Sequence, residues 1–169
     1  TTYPTKGPAV EVKDSHAKRR VIAKSFPISI DSRGFEELAR EPRVQARAKE
    51  IREGLGNPKT IMLGVDRLDY TKGIRHRMKA FGELLGEGRL KLEDVTLVQV
   101  ASPSRERVQA YMHLRDEIEL TVGRVNGAFA TISHQAISYH HKGYPREEMA
   151  ALYIAADVML VTALRDGMN

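Results

Sequence analysis

Three cations near two loops are the residues best placed to do chemistry. Arg67 and Lys72 lie five positions apart in GVDRLDYTKG, over 64–73, and Arg105 follows the short string Ser102-Pro103-Ser104. A guanidinium offers a flat fork to two phosphate oxygens, whereas an ammonium acts as a compact point charge, so Arg67 and Lys72 complement each other. A diphosphate, or two phosphorylated ligands, would need such a set, and helix N-terminal amides near Gly73 would add to it. The same spacing lets Arg67 pair with Asp66 or Asp69 as a structural ion pair. Spacing alone leaves both readings open. A further string, LRDGMN over 164–169, follows an apolar run; its Asp166-Gly167 pair, taken alone, reads as a turn.

Elements that could bring these strings together are legible from 60 onward. The runs 60–65, 95–100, 136–140 and 158–161 are short and apolar, as in strands covered on both faces, and helical patterns separate them. Ile74, Met78, Phe81 and Leu85 form one stripe over 72–85. Val108, Tyr111, Met112 and Ile118 are expected to face inward on a long helix capped by Ser104 and closed by 123–127. Pro145 is expected to open a last helix, with Glu147 and Glu148 in its first turn. The βαβαβαβ order predicts an α/β fold, a parallel Rossmann-like sheet with helices on both faces and ligand-binding loops at the carboxyl ends of the strands. Upstream, the Lys-rich head to Arg20 reads as irregular, 21–28 as an extended run and 35–40 as a short helix stopped by Pro42. A second helix over 43–53 carries Val44, Ala48 and Ile51 on one face.

Composition removes several alternatives. There is no cysteine, hence no disulfide and no thiolate chemistry. The formal net charge is +5, but basic residues alternate with Glu and Asp and aromatics are 6%, which fits a solvated mixed-charge surface better than a nucleic-acid track. No apolar run approaches a membrane span and the N-terminus shows no signal-peptide pattern, so no membrane partner and a cytoplasmic location are expected. The P-loop pattern is missing, and Gly54-Leu55-Gly56 precedes the first apolar run of this series, so no dinucleotide fingerprint follows it. His140-His141 lack a nearby carboxylate at metal-ligand spacing. Ser133-His134 are adjacent in sequence and poorly disposed as a nucleophile and base. Glu147-Glu148 fit helix-start carboxylates better than a glycosidase pair.

As a set, the strings GVDRLDYTKG (64–73), SPSR (102–105) with VQAY (108–111), GRVNG (123–127) and DVMLVTALRDGMN (157–169) resemble the trehalose-6-phosphate synthases, retaining glycosyltransferases of the two-lobed GT-B fold. FPISID (26–31) is similar to the segment crossing between the lobes. The resemblance covers about 20–169 in order. It implies glucosyl transfer from a nucleotide-diphosphate glucose, with UDP, GDP and ADP all open, to glucose 6-phosphate, giving α,α-trehalose 6-phosphate with retention. It also implies that 1–58 are the end of an N-terminal lobe and a connector, and that 59–169 are part of the donor-binding domain.

Residue by residue, the resemblance implies that Arg67 and Lys72 hold the donor diphosphate and stabilise it as it leaves. Arg105 matches the contact to the acceptor phosphate. Tyr144 falls where the nucleotide base binds, largely through backbone. Asp166, Gly167, Met168 and Asn169 match the grip on the donor sugar. The nucleotide sugar is a substrate, and neither metal nor other cofactor is expected. With most acceptor contacts assigned to the other lobe, the chain alone is expected to show no synthase activity. A glucosylglycerol-phosphate or validoxylamine-phosphate synthase, or a non-catalytic nucleotide-binding module, are the alternatives on this scaffold. Self-association into a homo-oligomer is also left open.

Overall fold

Eight residues of each of two central strands set the architecture. In the computed structural model, which describes residues 9–14, 17–22 and 29–165, β3 (Thr60–Arg67) and β4 (Val95–Ser102) pair in parallel from Thr60 opposite Val95 to Arg67 opposite Ser102. They precede β5 (Ile137–His140) and the two-residue β6 (Val158–Met159), and the sheet order is β5-β4-β3-β6, all parallel. The chain thus steps outward from β3 to β4 to β5, then returns to the opposite side of β3. The reversal creates a topological switch point between β3 and β6, the position at which open α/β sheets commonly bind ligands.

Helices cover both faces. On one, α3 (Ile74–Gly86) and α4 (Gln109–Phe129) bury Ile74, Met78, Phe81, Leu85, Ile118 and Val125 against Leu97, Ala101 and Ile137. On the other, Leu152 of α5 (Arg146–Ala155) joins Ile61, Leu63, Val98 and Val100. Alternate residues of β3 and β4 serve opposite layers, which is why their sequences are largely apolar rather than strictly alternating. α2 (Pro42–Gly54) packs Val44 and Ala48 on Ala150, Ala151 and Ala155 of α5, small side chains that let the two helices approach closely. The contact is clasped by Arg47, whose guanidinium donates to both oxygens of Glu148 at 2.8–3.2 Å. Glu147 lies 3.8 Å from Arg43, a contact between two exposed side chains.

Several expectations change. The head read as irregular contains a hairpin: β1 (Ala9–Asp14) pairs antiparallel with β2 (Ala17–Ile22), in a unit that spans Thr1–Ser32, while Arg33–Asn169 form the second unit. Of the extended run 21–28, only 21–22 are described, within β2. α1 (Ser32–Ala39) begins earlier than expected. α4 begins later and has no side-chain cap, because Arg105 adopts a left-handed backbone, φ 48°, that holds 103–108 out of the helix. With that phase Tyr111, Ile118 and Val125 face inward, while Val108 and Met112 are exposed. Nor does α4 stop at 123–127. Its Asn126 amide accepts from Ile137 N and donates to Ile137 O, both at 2.8 Å, so a side chain satisfies the outer edge of β5 and holds the helix past its glycines.

Candidate functional site

The register of β3 and β4 brings the two cationic loops together. Arg67 ends one strand directly opposite Ser102, and Leu68 N donates to Ser102 O at 2.8 Å, prolonging the ladder into the loops. Beyond it, Asp69 caps the 3-10 turn Tyr70–Lys72 by accepting from Thr71 N at 3.0 Å and Thr71 Oγ1 at 2.9 Å. Its second oxygen accepts from the Tyr111 hydroxyl at 3.1 Å and lies 3.7 Å from Arg67 Nη2. Tyr111 OH in turn accepts from Arg105 Nη1 at 2.9 Å, with the guanidinium over the Tyr111 ring. Burial tends to raise the Asp69 carboxyl, but the Thr71 and Tyr111 hydrogen bonds and the Arg67 charge outweigh it and hold it below the usual carboxylate range.

Both readings left open for Arg67 therefore have a place. It does approach Asp69, but at 3.7 Å and with its side chain 59% exposed, a contact that orients the guanidinium without consuming it. Lys72 ends the 3-10 turn, and Gly73 follows with φ 67° as the residue preceding α3. A side chain at Gly73 would meet both a left-handed backbone and the Thr162 carbonyl. The segment after β6 closes over this turn: Leu164 N donates to Thr71 O at 2.7 Å. The strings 64–73 and 164–169 thus meet at Thr71 and Leu164. Asp166, Gly167, Met168 and Asn169 lie outside the described residues.

Beneath these loops is a buried polar cluster that the sequence reading missed. Arg77, 5% exposed, projects from α3 and donates to Asp66 Oδ2 at 2.8 Å, to Gln99 Oε1 at 2.5 Å and to Thr162 Oγ1 at 2.9 and 3.1 Å. It joins the carboxyl ends of β3 and β4 to the segment after β6. Gly64 makes room, since a Cβ there would collide with the Arg77 guanidinium and the Gln99 amide. Three sequence signals pointed to it: a glycine inside an apolar strand, a glutamine inside another, and an arginine on the buried side of an amphipathic helix.

Tyr144 is engaged within the fold. Its hydroxyl shares a 2.9 Å hydrogen bond with His140 Nδ1, and Lys142 Nζ sits 4.8 Å from its ring centre. His140 Nε2 shares another 2.9 Å bond with Ser138 Oγ. His134 bonds Thr96 Oγ1 at 2.9 Å, a structural pairing. Among the described residues, no group of three or more His, Asp or Glu could hold a metal ion, and no helix is long and apolar enough to cross a membrane. A groove of about 630 Å³ lies on the flank between α3 and α4, lined by Arg75, Lys79 and Phe129 among others. Arg75 is paired with Glu117 at 2.9 Å and Lys79 with Glu83 at 3.7 Å, so its charges are partly matched. A second hollow of about 260 Å³ beside Asp69 and Gly73 is lined mainly by residues of α3 and α4 such as His76 and His113, and not by Arg67, Lys72 or Arg105; the strand-end loops are the candidate site on their charges.

Two measurements check this geometry. Replacing Arg77 by Met leaves Asp66 without its buried cation, and urea unfolding should show a loss of about 3–5 kcal/mol; a loss below about 1 kcal/mol would contradict the buried pair. His140 is pushed below its ordinary value by burial and then by Lys142, so folding favours the neutral ring. That contribution is complete above the unfolded value of about 6.5 and fades as pH falls below it. Stability should decline as pH falls through and below about 6.5, and His140→Gln should flatten the decline; the same slope in the variant contradicts this.

Comparisons with known proteins give the family and the fold. The family model described as glycosyltransferase family 20 matches residues 5–169. The trehalose-6-phosphate synthase of Mycolicibacterium gilvum is 57% identical over 151 residues, 89% of this chain and 30% of that protein. The chain thus spans about a third of the length of the curated relatives it matches. A crystal structure of the UDP-forming α,α-trehalose-phosphate synthase from Burkholderia xenovorans with glucose 6-phosphate matches with TM-score 0.80 and 36% identity, over 89% of this chain and 33% of that one. The Escherichia coli protein bound with UDP-2-fluoro glucose matches with TM-score 0.78 and 27% identity, over 96% and 36%. With a family match over nearly its whole length and a fold that agrees with part of these synthases, the chain belongs to glycosyltransferase family 20.

Proposed function

We propose that this chain supplies the donor-diphosphate and acceptor-phosphate contacts for retaining transfer of glucose from a nucleotide-diphosphate glucose to glucose 6-phosphate, the product being α,α-trehalose 6-phosphate. The observation that carries the reading is the meeting of the Arg67 and Arg105 loops through Asp69 and Tyr111, beside the β3–β6 switch point. Relatives solved with glucose 6-phosphate and with a UDP-glucose analogue support the same two ligand classes. In this reading 59–169 are part of the donor lobe of a GT-B enzyme, 1–58 lead into it, and the other lobe completes the acceptor site.

Arg67 and Lys72 then face the donor diphosphate. As the bond from the glucose anomeric carbon to the diphosphate oxygen breaks, that oxygen gains charge. Cations already fixed at a strand end and in a helical turn stabilise it without reorganising. Arg105 takes the phosphate of the acceptor, whose hydroxyl attacks the same anomeric carbon as its proton passes to the departing diphosphate oxygen. Asp166, Gly167, Met168 and Asn169, next after the segment anchored on Thr71, hold the donor hydroxyls. Tyr144 marks the base end, and because its hydroxyl is already bonded to His140, the base is met by backbone groups there.

The test is calorimetry of uridine diphosphate with the chain and with Arg67→Ala and Lys72→Ala. Each variant should bind at least about tenfold more weakly, the cost of one charge-assisted contact. Unchanged affinity in both would remove the donor assignment.

A further inference from the structure

The Tyr111 hydroxyl is a neutral link between the charged side chains of two loops, Asp69 and Arg105. Arg105 keeps a left-handed backbone although it is not glycine, a conformation that persists only where the surroundings fix it. Its carbonyl accepts from Val108 N at 2.9 Å, closing a turn, and its side chain reaches Tyr111 in the first turn of α4. Tyr111 is 5% exposed, packed edge-on to Tyr70 with ring centres 6.0 Å apart. A hydroxyl so buried must find partners.

The direction of its hydrogen bonds follows from its neighbours. An ionised carboxylate only accepts, so the single Tyr111 proton goes to Asp69 Oδ2, and the hydroxyl oxygen is left to accept from Arg105, which only donates. Asp69 is in turn fixed by both Thr71 donors. Among the described residues no carboxylate forms an ion pair with Arg105, whose anchor is a neutral oxygen. A direct carboxylate partner would hold the guanidinium and also offset its charge; a hydroxyl holds it and leaves the charge for an anion.

We propose that Tyr111 is a positioning residue, whose hydroxyl, oriented by Asp69, holds the Arg105 guanidinium in place for the phosphate of the acceptor. The inference deepens the reading of Arg105 as the acceptor-phosphate contact and rests on it. It separates two jobs that one carboxylate serves: Asp69 orients Arg67 directly, at long range and with exposure, and Arg105 only through the hydroxyl.

The experiment titrates glucose 6-phosphate into the wild-type chain, Tyr111→Phe, Arg105→Ala and the double variant, with uridine diphosphate titrated in parallel. Tyr111→Phe keeps the ring and should weaken glucose 6-phosphate about three- to tenfold, while uridine diphosphate binding changes by less than about twofold. In the Arg105→Ala background the same substitution should add nothing, a result a merely structural role would not produce. If the wild-type chain fails to bind glucose 6-phosphate, or Arg105→Ala binds it as well as wild type, the acceptor reading fails and takes the proposal with it. If Arg105→Ala weakens binding but Tyr111→Phe does not, or does so equally in both backgrounds, the proposal alone is overturned. A measurement free of any variant is the ¹⁵N spectrum of the Arg105 side chain. Hindered rotation of its Nη1 group is expected, and free rotation would overturn the hydrogen bond on which the proposal stands.

Discussion

The buried ion pair between Arg77 and Asp66 is the constraint on which the functional end of this fold depends. A cation placed under the loops cannot be solvated by water, so it draws in Asp66, Gln99 and Thr162 as its shell, and these come from β3, β4 and the segment after β6. The cluster thereby sets where three strand-end loops begin. Gly64 is the concession that makes it fit, an apolar strand giving up a side chain so that a guanidinium can lie against its backbone. Buried pairs of this kind contribute little net stability compared with apolar packing, and what this one supplies is a fixed geometry for the groups above it.

Above it the charges are arranged by contrast. The lower layer is bonded within itself around the buried Arg77, while Arg67 in the upper layer remains largely exposed at the carboxyl end of β3. Asp69 organises the upper layer: buried and held ionised by the Thr71 and Tyr111 hydrogen bonds, it steadies Arg67 and, through Tyr111, Arg105. Placed beside a switch point in the strand order, such a set is suited to an anionic ligand bridging two loops. The larger groove between α3 and α4 lacks this organisation, since two of its cations, Arg75 and Lys79, already meet carboxylates.

Much of this was legible. The stripe Ile74, Met78, Phe81 and Leu85 is entirely buried, because apolar side chains recurring every 3.6 residues share one side of a helix and must be covered together, and the apolar runs at 60–65 and 95–100 became the central strands. The start of α4 was not legible, since nothing in Ser104-Arg105-Glu106 announces a left-handed backbone at an arginine. The hairpin in the head was hidden by its charge: Val10 and Val12 alternate with Glu11 and Lys13, a strand pattern carried by two apolar residues. Arg77 and Gln99 were visible as misplaced polar residues, but only the fold shows that they answer each other across two elements. Asn126 replacing a neighbouring strand at the edge of β5 has no sequence signature.

The central claim is that a nucleotide diphosphate binds at the switch point between β3 and β6. An amide ¹H–¹⁵N titration of this chain with uridine diphosphate tests it most directly. The account predicts that shifts gather at 66–73 and 160–165, the two loops joined at Thr71 and Leu164. Shifts confined to 75–83 and 121–129, the walls of the α3–α4 groove, would contradict it.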